Sequence, residues 1–512
     1  MIDADLAAAF GQLQSKLVPL WRSIRAMNDD PQTIVVVPSI NVDSDTFHGV
    51  LQQAYEERFL FLLLLLRQPR ARVIYVTSQA IHQDVVDYYL DLLPGVISSH
   101  ARRRLFLVSP LDGGPATLTE KLLARPRLLA HMRSLIPDPD RAHLVPYSTT
   151  EHEMALAVAL GIPMYGADPQ HFDFGTKSGA RRIFAEEGVL HPSGRENLHT
   201  EKDVLDALID LRQRKPGLKA VVIKLNEGVS GEGNATIDLA GLPAEADRAA
   251  IAARLRAMRY ELASTTYDEY MGKLESRGGI VEERLSGREF RSPSAQLRAT
   301  PLGEVELLST HDQLLGGPSG QSYLGCRFPA SPDYAAAIMR EAAKVGRRLA
   351  REGVIGRFAL DFVAVRDEAG AWDVSAIEIN LRKGGTTHPF LTLQFLTDGR
   401  YDAETGLFTT PRGEAKFFVA SDHVHSPAYR VFTHVDLFDI VARYGLHFDQ
   451  SRQTGVVWHM LNAIGETGQV GVTAVGNSPD EADRLYRRTI EVLDLEASRH
   501  GAGGGSGAHA PV

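Results

Sequence analysis

The sequence predicts an α/β protein in three parts: a doubly wound parallel-sheet domain, a longer mixed region, and a small α+β segment. Three observations predict it. Apolar runs of strand length alternate with helical stretches over the first ~150 residues, which implies parallel strands joined by crossover helices. Beyond residue 166, strand patterns begin to follow one another across short polar turns, which implies antiparallel pairing. Finally, 512 residues leave room for about three domains of roughly 150 residues each.

The parallel domain is read from buried-strand runs at 33–37 (TIVVV), 72–77, 105–108 and 143–146. Helical stretches at 55–67 and 83–93 separate the first three. No G-x-G-x-x-G follows the first strand, so a bound dinucleotide is not supported. A helix at 150–160 leads to a new region with a helix at 177–187 and a strand at 220–225. Residues 249–271 read as one long helix and 279–285 as a strand. Residues 296–298 and 305–309 suggest an antiparallel meander, and 335–352 a helix ending at Gly353. A hairpin follows, 358–365 and 375–381, joined by the turn DEAG at 367–370. Strands at 456–460 and 469–473 and a helix at 479–497 complete the chain, and the glycine-rich tail is set aside as linker.

Composition narrows the function. The chain is 44% hydrophobic and 23% charged, with a net charge of −9, which gives no electrostatic reason to expect nucleic acid. A single cysteine, Cys326, excludes an internal disulfide and a Cys-rich metal site, and suits a reducing compartment. The polar, acidic start is not a secretory signal. The run 59–66 (FLFLLLLL) is far shorter than the ~20 residues that span a bilayer, so it reads as a buried helix. A cytoplasmic protein without membrane or nucleic-acid partners is expected.

Four motifs carry chemistry. Glu378 and Asn380 sit two apart in an apolar strand, so both side chains share one face, and Asp361 on the paired strand joins them. Hard cations such as Mg²⁺ bind through such oxygen sets, usually with substrate phosphates. Lys224 ends the apolar strand 220–225, where its charge must be paired or solvated. Directly after it the loop NEGVSGEGN at 226–234 places Gly228, Gly231 and Gly233 where backbone N–H groups can close around phosphate, although no Gly-Lys-Ser/Thr of a Walker A loop follows. The strand end VEERLSGRE at 281–289 offers Glu282 to an adenine amine and Glu289 to ribose hydroxyls, with Glu283 more simply a solvated strand end. Arg357 and Arg382 flank the oxygen set and suit a carboxylate or a transferring phosphoryl group. Arg291 and His388 are candidates for touching substrate, and Lys383 stands with them. The run Asp422-His-Val-His425 carries metal-ligand residue types but reads better as an exposed polar turn, since no third ligand is evident.

Taken in this order over residues 166–389, these motifs resemble the ATP-grasp superfamily. The resemblance implies an ATP-grasp core at 166–415, with a lid at about 180–285 and a catalytic part at about 286–415. A Rossmann-like domain at 1–165 would precede it, and a C-terminal domain at 416–498 and a flexible tail at 499–512 would follow. It implies that Lys177 and Lys224 contact ATP and that the loop of Ser230 to Asn234 closes over the phosphates. Glu282, Glu283 and Leu285 would flank the adenine and Glu289 the ribose. Asp361, Glu378 and Asn380 would hold two Mg²⁺, with Mn²⁺ as a substitute. The N-terminal half and the phrase EINLRKGGTTHP at 378–389 are similar, more narrowly, to the pheganomycin-type peptide ligases. Those join the carboxylate of an amino acid or peptide to an amine; a homodimer is compatible with the resemblance.

The expected reaction activates a carboxylate as an acyl phosphate, which an amine then attacks. Arg357 and Arg382 would hold the acyl phosphate, and the glycine-rich loop would exclude water. Two other readings use the same nucleotide site: a small-molecule kinase, and a sensor that binds ATP without turning it over.

Overall fold

The computed structural model describes residues 3–25, 31–41, 49–228, 233–243, 247–262, 264–316, 320 and 322–501. Four short strands of β-branched and aliphatic residues form the N-terminal sheet: β1 (Gln32–Val37), β2 (Ala71–Val76), β3 (Leu105–Val108) and β4 (Ala142–Pro146). All pairings are parallel, in the order β3-β2-β1-β4. Chain order reverses between β1 and β4, the kind of switch point where open α/β sheets leave a crevice at their carboxyl ends. The apolar run 59–66 is buried, as its composition demands, but winds as the 3-10 segment Leu60–Arg67 after the helix Val50–Glu57. It packs in a core shared with Trp458, Val472 and other residues of the C-terminal strands. Tyr89 Oη donates to the carbonyl of Trp458 at 2.9 Å, and the Trp458 amide donates to Tyr88 Oη at 2.9 Å.

An antiparallel sheet follows: β5 (Gly194–Leu198), β6 (Ala220–Leu225), β7 (Asn234–Asp238), β8 (Arg259–Tyr260) and β9 (Gly279–Glu283), in the order β5-β9-β6-β7-β8. The single long helix expected over 249–271 is two helices, Arg248–Arg256 and Tyr267–Arg277, with β8 between them. Thr266 explains the break. Its hydroxyl accepts from the Glu269 amide while the Glu269 carboxylate accepts from the Thr266 amide, a reciprocal cap that starts a new helix.

The largest sheet has nine strands. They comprise β10 (Glu289–Arg291), β11 (Pro293–Ala299), β12 (Val305–Gly316), β13 (Ser322–Phe328), β14 (Gly356–Arg366) and β15 (Trp372–Asn380). Past the small separate hairpin of β16 (Arg400–Asp402) and β17 (Leu407–Thr409), the sheet gains β18 (Phe417–His425), β19 (Gly455–His459) and β20 (Gln469–Gly476). The meander of β11 and β12 is antiparallel as expected, and so is the hairpin of β14 and β15, whose turn places Gly370 at φ 90°. Strands β18, β20 and β19 extend this sheet through the pairing of β13 with β18 rather than forming one of their own. The run Asp422–His425 therefore lies in a strand, not in an exposed turn. The helix Pro332–Arg351 buries Tyr334, Ile338, Ala342, Val345 and Leu349 at helical spacing against β11 and β14 residues Leu297, Phe358 and Leu360. Among the described residues no helix is long and apolar enough to cross a membrane.

Candidate active site

A cavity of about 1570 Å³ opens where the three sheets meet. Lys177, Lys224, Glu282, Leu285, Asp361 and Glu378 all line it, as do Asn380, Arg382, Glu283, Gly228, Gly233 and Asn234. The hairpin does what its spacing implied. Asp361 and Glu378 are ladder partners, and Asn380 Nδ2 donates to Asp361 Oδ2 at 3.0 Å. As directly opposed residues of the ladder, the two acidic side chains share one face, and the register shifts only beyond them, between Asp361 and Phe362.

Two carboxylates this close need cations. Lys177 Nζ lies 2.6 Å from Glu378 Oε1. Burial raises the Glu378 carboxyl, but Lys177, Lys224 and Arg382 outweigh it and hold it below its ordinary value. Asp361 goes the other way: burial, then the charge of Glu378, push its proton affinity up. One lysine thus neutralises one carboxylate, and the second remains costly until another cation arrives. This donor set fits a hard divalent ion.

Local sequence explains how the lysines are aimed. Thr176 caps the helix Lys177–Glu186 by accepting from the Gly179 amide at 2.9 Å, so Lys177 is its first residue. Gly179 is obligatory there, since a Cβ would fall 1.8 Å from the Asp173 carbonyl oxygen. Asn226, just past β6, accepts from the Ser178 amide at 3.0 Å and the Ser178 hydroxyl at 2.7 Å, tying the two lysine-bearing elements together. On β6, Lys224 is a diagonal cross-strand neighbour of Glu282, with Nζ 2.5 Å from Oε1. Arg181 Nη1 takes the other oxygen of Glu282 at 3.2 Å. The Glu282 carboxylate is therefore committed to two cations, Lys224 and Arg181. Glu283 is half-buried rather than solvated, and binds Lys215 and the Ser193 amide. The ends of the glycine-rich loop close through Leu225, whose amide donates to the Gly233 carbonyl at 3.0 Å. Ser230 and Gly231 lie outside the described residues.

Five expected site residues are elsewhere. On β10 only Phe290 faces the cavity; Glu289 and Arg291, of opposite alternation, pair with each other. Arg357 lies toward the far end of β14, beside Arg298 and Tyr165, and is not in the cavity wall. Burial first, then the charge of Arg298, lower its proton affinity to about 9. Lys383 turns away from Arg382 and donates to the Pro146 carbonyl at 2.5 Å. His388 is buried behind the wall, with Nε2 3.2 Å from Asp422 Oδ1 and 3.1 Å from His459 Nε2. These misplacements share a cause: strand alternation and long-range packing decide which flanking charge faces inward, and a charge near a motif in sequence need not face it.

Other wall residues escaped the sequence reading. Gln313 on β12 donates to Asp361 Oδ1 at 2.9 Å. Tyr55, Arg58 and Tyr147 come from the N-terminal segment, and Asp422, read from the sequence as part of a polar turn, comes from β18. Arg58 Nη1 lies 2.5 Å from Asp422 Oδ2, both fully buried. The one visible signal was the charged triplet Glu56-Glu57-Arg58 opening an apolar run, since buried charges imply partners.

Comparison with known proteins places the fold. A family model described as IQCH-like, ATP-grasp matches residues 170–261 and 249–404. The solved structure of a Campylobacter jejuni biotin carboxylase–β,γ-ATP complex superposes with a TM-score of 0.54 at 12% identity, covering 92% of this chain and 95% of that one. The chain has the ATP-grasp fold. The biotin carboxylase domain of Hydrogenobacter thermophilus 2-oxoglutarate carboxylase, a dimer, gives the same TM-score of 0.54 at 11% identity, over 92% of this chain and 95% of that one. A second family model, the PGM1 C-terminal domain, matches residues 436–489 of this ATP-grasp chain. Among curated proteins, the L-propargylglycine--L-glutamate ligase of Streptantibioticus cattleyicolor is 28% identical over 482 residues, 91% of this chain and 95% of that protein. The IQ motif-containing protein H of Danio rerio is 23% identical over 96% of this chain, which spans 50% of its length.

Proposed function

We propose that the protein is an ATP-dependent carboxylate–amine ligase that forms a peptide or amide bond through an acyl phosphate. The observation that carries this reading is the paired carboxylates Asp361 and Glu378, set opposite Lys177 and Lys224 in one large cavity of an ATP-grasp fold. The similarity to a ligase of two amino acids supports it, and the pheganomycin-type peptide ligases are the finer assignment proposed.

In this reading Asp361, Glu378 and Asn380 hold Mg²⁺, which on binding supplies charge neutralisation for phosphoryl transfer. Lys177 and Lys224 exchange their carboxylate partners for phosphate oxygens. Leu285 and the backbone of Glu282 and Glu283 flank the base. The loop through Gly228 and Gly233 covers the phosphates and keeps water from the activated carboxyl. Arg382 holds the acyl phosphate: it lines the cavity, and among the described residues it forms no ion pair. Its Nη1 donates to Tyr147 Oη at 3.1 Å, which fixes its direction. The amine then attacks the acyl carbon, and phosphate leaves with the bonding electron pair.

The test is ADP release with Mg-ATP against amino acids and short peptides, singly and in pairs, with mass analysis of products. Release that needs two substrates and yields a new amide mass supports the ligase. Release with one acid or alcohol and a stable phosphorylated product establishes a kinase instead. ATP binding with no turnover under any pair favours a sensor.

A further inference from the structure

The cavity is longer than the phosphate and metal residues need. Its far end lies at the switch point of the N-terminal sheet, where Ile40 follows β1 and Tyr147 follows β4, and both line the wall. Switch points are where open α/β sheets bind ligands. Here one guanidinium stands on the cavity wall. Arg58 is nine-tenths buried, yet it lines the cavity and has one carboxylate partner, Asp422. Its Nε meets no hydrogen-bond acceptor among the described residues. A buried N–H of a charged group without a partner is costly, so Arg58 is incompletely satisfied by the protein around it.

Arg58 is also held still. Asp422 Oδ2 takes Arg58, while Asp422 Oδ1 takes His459 Nε2 at 2.7 Å and His388 Nε2 at 3.2 Å. Fixing the carboxylate from both sides fixes the fork that it grips. Across Tyr147 stands the second cation. The Arg58 and Arg382 guanidinium carbons lie 5.8 and 5.7 Å from the centre of that one ring. Their separation cannot exceed the two distances together, about the reach of three extended residues at ~3.5 Å each. Asp422 balances Arg58, and Arg382 also faces Asp361 and Glu378, so an anion here would be held by two planar forks rather than by a net excess of charge.

We infer that Arg58 is the anchor for a second carboxylate: the free carboxylate of the amine-bearing substrate, which is then an amino acid or a peptide rather than a simple amine. This rests on the ligase reading, in which Arg382 serves the carboxyl being activated. Asp422 and the two histidines are positioning residues. The arrangement also has a use in catalysis, since a carboxylate gripped at Arg58 is kept away from the phosphoryl group, and only the other acid is activated.

The test compares the full-length protein with Arg58→Lys, which keeps the charge and the Asp422 pair but loses the planar fork. A double variant, R58M/D422N, removes the buried pair as a unit. Acceptors are L-glutamate and L-alanine, each against its α-carboxamide, with product amide measured under Mg-ATP. The expected result is a KM at least tenfold higher for the free acids in both variants. KM for the carboxamides and for ATP should be unmoved, and the thermal midpoint of R58K should match wild type. Equal changes for acids and amides, or a loss confined to kcat, would overturn the anchor. If wild type forms no amide at all, the ligase reading fails separately. Calorimetric titration of L-glutamate in the presence of Mg-ADP then decides the subsite: binding lost in R58K sustains it, and equal binding in both proteins, or none in either, overturns it.

Discussion

At one end of the cavity Lys177 reaches Glu378 and Lys224 reaches Glu282; at the other Arg58 reaches Asp422. All are buried or nearly so, but they differ in kind. Glu378 keeps 22% of its side-chain surface and faces Asp361, and in the proposed function its pair with Lys177 is a placeholder that other cations and anions exchange. Asp422 keeps 3% and is gripped by Arg58, His388 and His459 at once. The first end is built for charges that come and go, the second for a charge that must stay. A site that moves a phosphoryl group needs the former to neutralise changing anions and the latter to hold a fixed one.

Substitutions sharpen this contrast. The largest effect is expected for Glu378→Gln, which is nearly isosteric but removes the charge of one carboxylate proposed to hold Mg²⁺. ADP release should fall roughly 10²–10⁴-fold, because loss of such a ligand costs several kcal/mol in the transition state. The thermal midpoint should not drop; release within tenfold of wild type would sink the magnesium role. Next comes Arg58→Ala, where the loss appears as stability. Asp422 would be left as a buried charge without its main partner, at a cost of about 3–5 kcal/mol. A thermal midpoint several degrees lower is the sign, and a stable R58A would mean that this pair is as exchangeable as the other. Lys224→Ala is smaller. Glu282 keeps Arg181 as partner, so the fold should hold. ATP affinity should drop about tenfold, the value of one charge-assisted hydrogen bond, as read by calorimetry with Mg-ADP.

The same contrast explains what was legible in the sequence. Asp361, Glu378 and Asn380 lie on one hairpin, so strand period and a short turn were enough to bring them together. Lys224 was found as a charge in an apolar strand pattern, whereas Glu282 was read as a contact for an adenine amine and not as the partner of Lys224, because that pairing depends on the register of β6 with β9. Arg58, Tyr147, His388, Asp422 and His459 come from segments with no local relation. Nothing in the residues around Asp422 indicates that Arg58 and two histidines will meet it. The run through His425 was read as a polar turn because its partners are distant. Arg357 and Lys383 erred the other way, being near the motif in sequence but turned toward Tyr165 and Pro146. The parallel domain and the hairpins follow from periodicity, whereas the joining of β13 to β18 follows only from packing.

Asp361 supplies the smallest effect and the finest test of exchangeability. Burial, and then Glu378, raise its pKa from 3.8 to about 6 in the folded protein. Its folded value thus exceeds the unfolded one, so folding favours the protonated form. That contribution is fully present below pH 4 and is lost as pH rises through about 6, where ionised Asp361 faces ionised Glu378. The protein without metal should therefore be slightly less stable at pH 7 than this pair would allow at pH 5. Asp361→Asn should remove that slope and raise the thermal midpoint at pH 7 by a degree or two, about 0.5–1 kcal/mol on the usual conversion. Mg²⁺ should act oppositely on the wild type, stabilising at pH 7 and progressively less as Asp361 takes up its proton below about 6. A midpoint indifferent to Mg²⁺ at pH 7 in the presence of ADP would mean that the carboxylate pair is a fixed structural feature like Asp422, and the distinction between the two ends would fall.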